Sequence, residues 1–288
     1  MKCIKKLAYA AVSGICLFTF VQNTGYADEK KSWNGSVSFS VGLNEGGYNE
    51  LAYSDCAQYV SAVSWNLQAD VSKDRFLHKL KILFYYDKPE SVLSDTAVLN
   101  QDYDALSGEM YYVVSTTSVQ LYRGAVEYGC FYTLWGGTRF PGSVGGIIRS
   151  DAFIQLAHYP VITAAVSFCP AVTQSWVPDE ENRFSCTLSV PLIGWALRPP
   201  YAGADGLMIE YAEKSPLKIL GMGGFTSLYN YQCVNFSVDW THRVQYWLAV
   251  RAGADFYMSR FTEPEERRSV EINFRTGMQF RFGRNRRR

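Results

Sequence analysis

The sequence predicts an all-β fold, a single antiparallel transmembrane β-barrel of about twelve strands. The first observation is a two-residue alternation between Ser269 and Gly283, where Val270 and Phe274 share one face and Glu271 and Arg275 share the other. The second is a 15% aromatic content with 20 tyrosines, because tyrosine and tryptophan favour the two water-lipid interfaces of a barrel. The third is that, beyond the N-terminus, no stretch reaches the roughly 18 to 20 continuous apolar residues of a membrane helix. A membrane-spanning form of this chain would therefore use strands.

The same alternation also fits a secreted β-sandwich, whose apolar faces would meet in a shared core. This alternative stays open at the level of sequence, and we prefer the barrel because the aromatic content and the export signal point the same way.

The N-terminus predicts export from the cytoplasm. Lys2, Lys5 and Lys6 precede an apolar run that extends to about Val21, and a small-residue site ends at Ala27. This pattern is typical of a cleavable signal peptide, so residues 1–27 are expected to be removed after Ala27.

The remaining residues, 28–288, are expected to form one barrel domain, because no repeat or linker divides them. The signal carries three of the 28 Lys+Arg residues and none of the 27 Asp+Glu residues, which leaves 25 − 27 = −2. This balance argues against nucleic acid as a partner.

Five cysteines remain after cleavage, and their spacing predicts neither a metal site nor a disulfide framework. We expect no cofactor, and no pair of cysteines is favoured. The five are Cys56, Cys130, Cys169, Cys186 and Cys233.

The first three strands are well defined by alternation. Trp33–Leu43 is followed by a strand from Tyr59 to Leu67, and the short turn 71–74 leads to a third strand from Phe76 to Tyr86.

The later strands have less certain bounds. Glu109–Trp135 is a long β-prone run that we count as one strand, because single-chain bacterial barrels have an even number of strands and this choice gives twelve. The other candidates are 145–159, 161–173, 183–196, 207–212, 217–229, 231–240, 243–259 and 269–283.

With both termini on the periplasmic side, the longest polar connections become extracellular. These are Asn44–Cys56, Lys88 to about Thr117, Leu197–Gly206 and Phe261–Arg268.

The last strand resembles the C-terminal strand of bacterial outer-membrane β-barrel proteins, which is amphipathic and ends on an aromatic residue. Phe280 and Phe282 match that assembly signal, although Gly283–Arg288 extend six residues beyond it. The resemblance implies a location in the outer membrane, with outer-membrane lipid and the barrel-assembly machinery as partners.

The polar faces of the predicted strands carry charges that would line the lumen. As a channel, opposed charges would orient a small polar solute. As a plug, they would pair and fill the barrel, because buried charges are tolerated when they are partnered. Both readings stay open for Lys79, Lys81, Arg123, Glu127, Arg251, Asp255, Glu271, Arg275 and Arg281.

The preferred function is a narrow porin-like channel, or a channel-shaped binder, for a small solute or lipid. The alternatives are a rim enzyme that acts on lipid or protein, such as a lipase, deacylase or protease, and a closed barrel whose extracellular loops bind a partner. No known catalytic motif occurs, and no histidine among His78, His158 and His242 has a suggestively spaced partner. No catalytic residue is therefore predicted, and the balance is against an enzyme.

Overall fold

The structure of the chain is a computed structural model. It describes residues 33–50, 58–88, 90–91, 97–103, 110–115, 120–135, 139–156, 160–198, 214, 218, 222–262 and 266–283. The predicted signal peptide, and with it the cleavage after Ala27, lies outside these residues.

Almost every described segment is a strand, because alternating apolar and polar residues allow the two faces of each segment to meet different environments. No helix among the described residues is long and apolar enough to cross a bilayer. The strands are β1 (Trp33–Glu50), β2 (Gln58–Lys73), β3 (Phe76–Asp87), β4 (Glu90–Ser91), β5 (Ala97–Tyr103), β6 (Met110–Ser115), β7 (Gln120–Trp135), β8 (Gly142–Leu156), β9 (Pro160–Trp176), β10 (Asn182–Ser189), β11 (Ile193–Leu197), β12 (Gly224–Ser227), β13 (Tyr231–Arg243), β14 (Leu248–Phe261) and β15 (Arg267–Gly283).

The strands form one closed antiparallel barrel. Each long strand pairs with its neighbour along the chain, and β15 pairs with β1 from Asn34 opposite Gly283 to Glu50 opposite Arg267, which closes the ring. The wall has ten strand positions, and β5 and β6 form a separate two-stranded hairpin outside it. The prediction of an all-β antiparallel barrel with about twelve strands is confirmed.

Two wall positions are each built from two segments. β10 and β11 both pair with β9, and a one-residue shift in register separates them around Val190–Leu192. β12 pairs with β11, and after a turn at Leu228–Asn230 the chain continues as β13, which pairs with β10. The wall is therefore irregular at these two positions.

Two details differ from the sequence prediction, and a third is not tested by the structure. The run Glu109–Trp135 supplies two strands, the outer strand β6 and the wall strand β7. Residues 44–50, predicted as loop, continue β1 because they stay paired with β15. The candidate strand 207–212 lies outside the described residues.

The two faces of the wall have opposite polarity. Large apolar side chains such as Trp65, Phe84 and Phe274 are exposed on the outside, although they would be buried in a soluble fold. Serine, asparagine and charged side chains such as Ser64, Asn273 and Arg275 are buried on the inside. This inverted distribution is typical of a barrel that faces lipid outside and its own polar side chains inside.

The two ends of the barrel also differ. We call one the turn end, because the links 74–75, 177–181 and 244–247 are short there and both termini of the wall meet there. We call the other the loop end, because the long connections, including the one that carries the β5–β6 hairpin, lie there.

Candidate functional site

The residues predicted to line the lumen lie on the inner parity of their strands. Arg123, Arg251 and Arg275 are each 5% exposed and Glu271 is 8% exposed, whereas Lys79, Lys81, Glu127 and Asp255 are partly buried. Arg281 has the same parity but is exposed, because it lies at the turn end. The structure therefore brings eight of these nine side chains inside the wall.

A first cluster of charges, the loop-end network, joins β7, β8 and β15 across the lumen. Arg123 forms an ion pair with Glu271 and a longer one with Asp151, at 3.4 Å. Arg149 binds Asp151 through Nε at 2.5 Å and Glu127 through Nη1 at 2.6 Å. Two arginines and three carboxylates thus form one continuous chain.

Tyrosines complete this network. The Tyr85 hydroxyl donates to Glu271 Oε2 at 3.0 Å, which satisfies a carboxylate that Arg123 also binds. The Tyr257 ring lies 4.6 Å from the Arg123 guanidinium carbon and 4.5 Å from that of Arg149. A ring face between two cations offsets part of their mutual repulsion.

A second cluster, the turn-end network, joins β3, β13, β14 and β15. Asp239 binds Arg251 at 2.8 Å and Arg275 at 2.5 Å. Arg275 also pairs with Asp255, which binds Lys81 Nζ at 2.8 Å. Three cations and two carboxylates are connected, so the two networks together hold five charges of each sign.

The space between the networks is small. A cavity of about 60 Å³ is lined by Lys81, Glu127 and Asp255 among others, and a second of about 30 Å³ lies beside Tyr257 and Phe261. These volumes hold a few water molecules at most.

An apolar layer lies inside the wall at the loop end. Tyr48, Val60, Tyr85 and Phe153 belong to one buried cluster, and Tyr48 and Phe153 meet edge to face at 5.5 Å. The Arg267 guanidinium lies 4.1 Å from the centre of the Phe153 ring. Apolar side chains therefore fill the lumen on the loop-end side of the charge networks.

A second apolar cluster adjoins it. Tyr231 stacks on Phe261 at 4.2 Å and its hydroxyl lies 3.1 Å from that of Tyr257, which links this cluster to the loop-end network.

The turn end of the lumen carries further basic side chains. Lys79 Nζ lies 5.4 Å from the Phe131 ring centre, and Arg183 donates to Ser175 Oγ at 3.2 Å. Gln68 donates to Asp70, the carboxylate opposite Lys79 in the β2–β3 ladder. The charges here are held by weaker contacts than those in the networks.

The histidines that the structure describes have local partners. His78 lies on the outer face, where its ring stacks on Tyr128 and Nδ1 lies 2.9 Å from the Tyr128 hydroxyl. His242 Nδ1 lies 3.1 Å from Asn182 Oδ1 at the turn end. His158 lies outside the described residues.

The four cysteines that the structure describes are free, and Cys169 and Cys233 are buried. Cys56 lies outside the described part of the chain. No group of three histidine, cysteine or acidic side chains within that part could hold a metal ion.

The turn Val177–Glu181 contains the acidic run Asp179–Glu181, and Asp179 organises this turn. Its Oδ1 accepts hydrogen bonds from the backbone N–H groups of Glu181 and Asn182, at 2.8 and 2.6 Å. These donors, with the Asn182 side chain as the largest contributor, lower the pKa of the Asp179 carboxyl below its ordinary value.

The two phenylalanines of the predicted assembly signal face outward on β15. Phe280 and Phe282 are 47% and 45% exposed, and Phe280 stacks on Trp247 from the adjacent turn.

The sequence prediction did not include several members of the networks. Arg149 and Asp151 share a parity within β8, and Asp239 alternates with Val238, so the polar face of each strand carried a usable signal. Tyr85 and Tyr257 carried none, because tyrosine is expected on either face of a barrel strand.

Comparisons with known proteins agree with the architecture. No protein-family model matches the chain, and no curated relative matches it. The outer membrane protease OmpT from Escherichia coli superposes with a TM-score of 0.50 at 8% identity, over 90% of this chain and 99% of that one. An outer membrane channel from Pseudomonas putida F1 gives a TM-score of 0.36 at 11% identity, over 90% of this chain and 97% of that one.

At such identity the likeness to OmpT concerns the fold alone. The chain has the barrel fold found in bacterial outer-membrane proteins.

Proposed function

We propose that this protein is an outer-membrane β-barrel whose lumen is closed by its own side chains and which acts through its extracellular loop end. The observation that carries the proposal is the pair of charge networks, which cross the lumen at two levels with only small cavities between them. Small barrels are commonly filled by side chains in this way, whereas wide ones leave a channel.

The location in the outer membrane is supported by the apolar outer face and by the barrel fold. Short turns at one end and long connections at the other match the usual orientation, with the turn end in the periplasm and the loop end outside the cell. The loop end is then the part of the molecule available to a partner outside the cell.

The closed lumen favours a binding role over transport. A permanent channel would need both networks to separate, and the Arg123–Glu271 and Arg275–Asp239 pairs are largely shielded from water. Breaking one partner from a buried pair costs about 3–5 kcal/mol, because the remaining charge stays desolvated. The narrow porin-like channel therefore remains the second candidate, and it requires a rearrangement of these side chains.

A planar-bilayer recording tests the proposal directly. The mature chain is refolded in detergent, and its folded state is verified by the difference in gel mobility between unboiled and boiled samples. We expect folded protein to insert without discrete conductance steps at neutral pH. Steady, protein-dependent steps from folded protein would contradict the closed lumen and would favour the channel.

A protease or lipase at the rim is tested in parallel with the same refolded sample. We expect no turnover of peptide or phospholipid above that of boiled protein. Turnover that survives purification and requires the folded barrel would replace the binding role with an enzymatic one.

A further inference from the structure

A pair of arginines lies on the outer surface at the loop end, just beyond the apolar belt. Arg260 and Arg268 face each other in the β14–β15 ladder, and both point away from the lumen. The pair one step nearer the middle of the wall, Met258 and Val270, is apolar and is 50% and 44% exposed. The arginines therefore occupy the level at which lipid chains give way to headgroups.

One carboxylate holds both guanidinium groups in place. Glu266 Oε1 accepts from Arg260 Nε at 2.6 Å and from Arg268 Nε at 2.8 Å. In the described part of the structure, the terminal Nη atoms of both arginines make no hydrogen bond. With respect to the described residues, four N–H-bearing nitrogens on two oriented side chains are thus without a partner.

Among the described residues, two guanidinium groups face one carboxylate, and the arginine side chains are accessible. The Arg260 and Arg268 side chains are 45% and 65% exposed. An anion that approaches from the lipid side therefore meets, among the described residues, two guanidinium groups that share one carboxylate.

These contacts define the chemistry of the ligand. Arginine forks match the oxygens of a phosphate group, and charge-assisted bonds of this kind are stronger than neutral ones. The apolar row beneath, which includes Val234 beside Met258, offers a surface for acyl chains. A ligand that has a phosphate above and acyl chains below fits both parts.

We propose that Arg260, Arg268 and the apolar row beneath them bind a phosphorylated lipid of the outer leaflet. The proposal rests on the orientation given under the proposed function, since it requires the loop end to lie in the outer leaflet. It adds a specific lipid contact to the surface of the barrel and does not involve the lumen.

Native mass spectrometry of the refolded mature chain tests this site with diphosphorylated lipid A as the probe. The variant is Arg260→Gln with Arg268→Gln, and the matched control is Arg243→Gln, which removes an ion-paired arginine at the opposite end. A basic residue near an anionic membrane surface contributes about 1 kcal/mol, which is roughly fivefold in affinity. We expect the dissociation constant to rise about 25-fold in the double variant and to stay unchanged in the control.

Two further ligands distinguish the contribution of the phosphate contacts from that of the apolar row. Dephosphorylated lipid A should bind wild type as weakly as the diphosphorylated form binds the double variant. Inorganic phosphate should bind far more weakly than lipid A, because it cannot use the apolar row. Equal binding by wild type and double variant, equal binding of both lipid forms, or equal binding of free phosphate and lipid would overturn the proposal.

The outcome of the lipid-binding test is independent of whether the lumen is closed. A closed barrel without phosphate-dependent lipid binding would remove this site only. A conducting barrel with phosphate-dependent binding would remove the closed lumen and leave the site intact.

Discussion

Individual charges inside this barrel are stabilised by specific partners rather than by solvent. Glu271 illustrates the point, because it binds Arg123, accepts from Tyr85 at 3.0 Å and accepts from Asn44 at 3.4 Å. The Glu271 carboxylate therefore binds three side chains at once. Its removal leaves the buried Arg123 guanidinium without its main counter-charge.

We therefore expect Glu271→Gln to destabilise the folded barrel by about 3–5 kcal/mol. The matched control is Glu180→Gln, since Glu180 binds Arg243 at 3.3 Å but its side chain is 93% exposed. An exposed pair contributes about 0–1 kcal/mol. Denaturant unfolding in lipid vesicles measures both, and equal midpoints for the two variants would contradict the role of the loop-end network.

Asp179 gives a prediction for acid stability. Its pKa is lowered in the folded protein by the Asn182 side chain and by backbone donors, so the ionised form is favoured by folding. A carboxyl with a lowered pKa contributes stability above its unfolded pKa, and this contribution disappears as the pH falls through the lowered value.

Unfolding of wild type and Asp179→Asn should therefore differ at neutral pH and converge in strong acid. Denaturant midpoints measured across the acid range test this, and a constant difference at all pH values would show that Asp179 acts by shape rather than by charge.

The sequence alone could assign many of these side chains to the polar face of a strand. It could not show which of them contact each other across the lumen. A period of two assigns Arg123 and Glu271 to the polar faces of their strands. Their contact joins residues 148 positions apart, so it depends on how strands meet across the lumen. Arg149 shows the same limit, because its bond to Asn235 spans 86 positions.

At the scale of elements, the seam between β1 and β15 depends on close approach of backbones. Gly277 pairs with Ser40 on β1 and with Arg251 on β14, and a methyl group there would meet the β1 backbone. Gly124 on β7 is a natural control, because a methyl group would meet only Leu83 O, at 4.0 Å.

We expect Gly277→Ala to destabilise the barrel by about 1–3 kcal/mol, in the range typical of overpacking, and Gly124→Ala to be neutral or slightly stabilising. The fraction of heat-modifiable protein at a fixed denaturant concentration measures both. If both variants behave alike, tight packing at the seam is not a constraint.

The terminal strand gives a prediction about assembly. Phe280 and Phe282 face outward near the turn end, where an assembly factor in the periplasm could reach them before the ring closes. We expect Phe280→Ser with Phe282→Ser to reduce folded protein in the outer membrane of cells. Refolding the same variant in detergent separates an assembly defect from a stability defect, and normal cellular yield would contradict the assembly signal.

The sequence was most informative about elements that alternate strictly. β1, β2, β3 and β15 follow their predicted alternation closely, because each of their faces has one environment. The section from β10 to β13 was harder, since a register shift at Val190–Leu192 and the turn at Leu228–Asn230 interrupt the period of two.

At the scale of the whole molecule, the proposed closure of the lumen rests on charge balance within the networks as much as on size. The two networks contain five cations and five carboxylates, so together they are neutral without bound ions. A ten-stranded wall leaves a core that side chains of this length can span. The lumen should therefore open only when the long side chains themselves are shortened.

Truncation of both networks tests this idea. The variant replaces Arg123, Glu271, Arg251 and Asp239 by Ala, which removes two cations and two carboxylates and leaves the net charge of the two networks unchanged. The control replaces Arg260, Glu266, Arg243 and Glu180 by Ala, an equal number of charges at the two exposed ends.

Among molecules that pass the gel-mobility test for folding, the first variant should conduct ions in planar bilayers, because water can occupy the vacated space. The control should remain closed like wild type. A folded first variant that stays impermeable would show that the apolar layer around Tyr48 and Phe153 closes the lumen by itself, and the charge networks would then serve stability rather than closure.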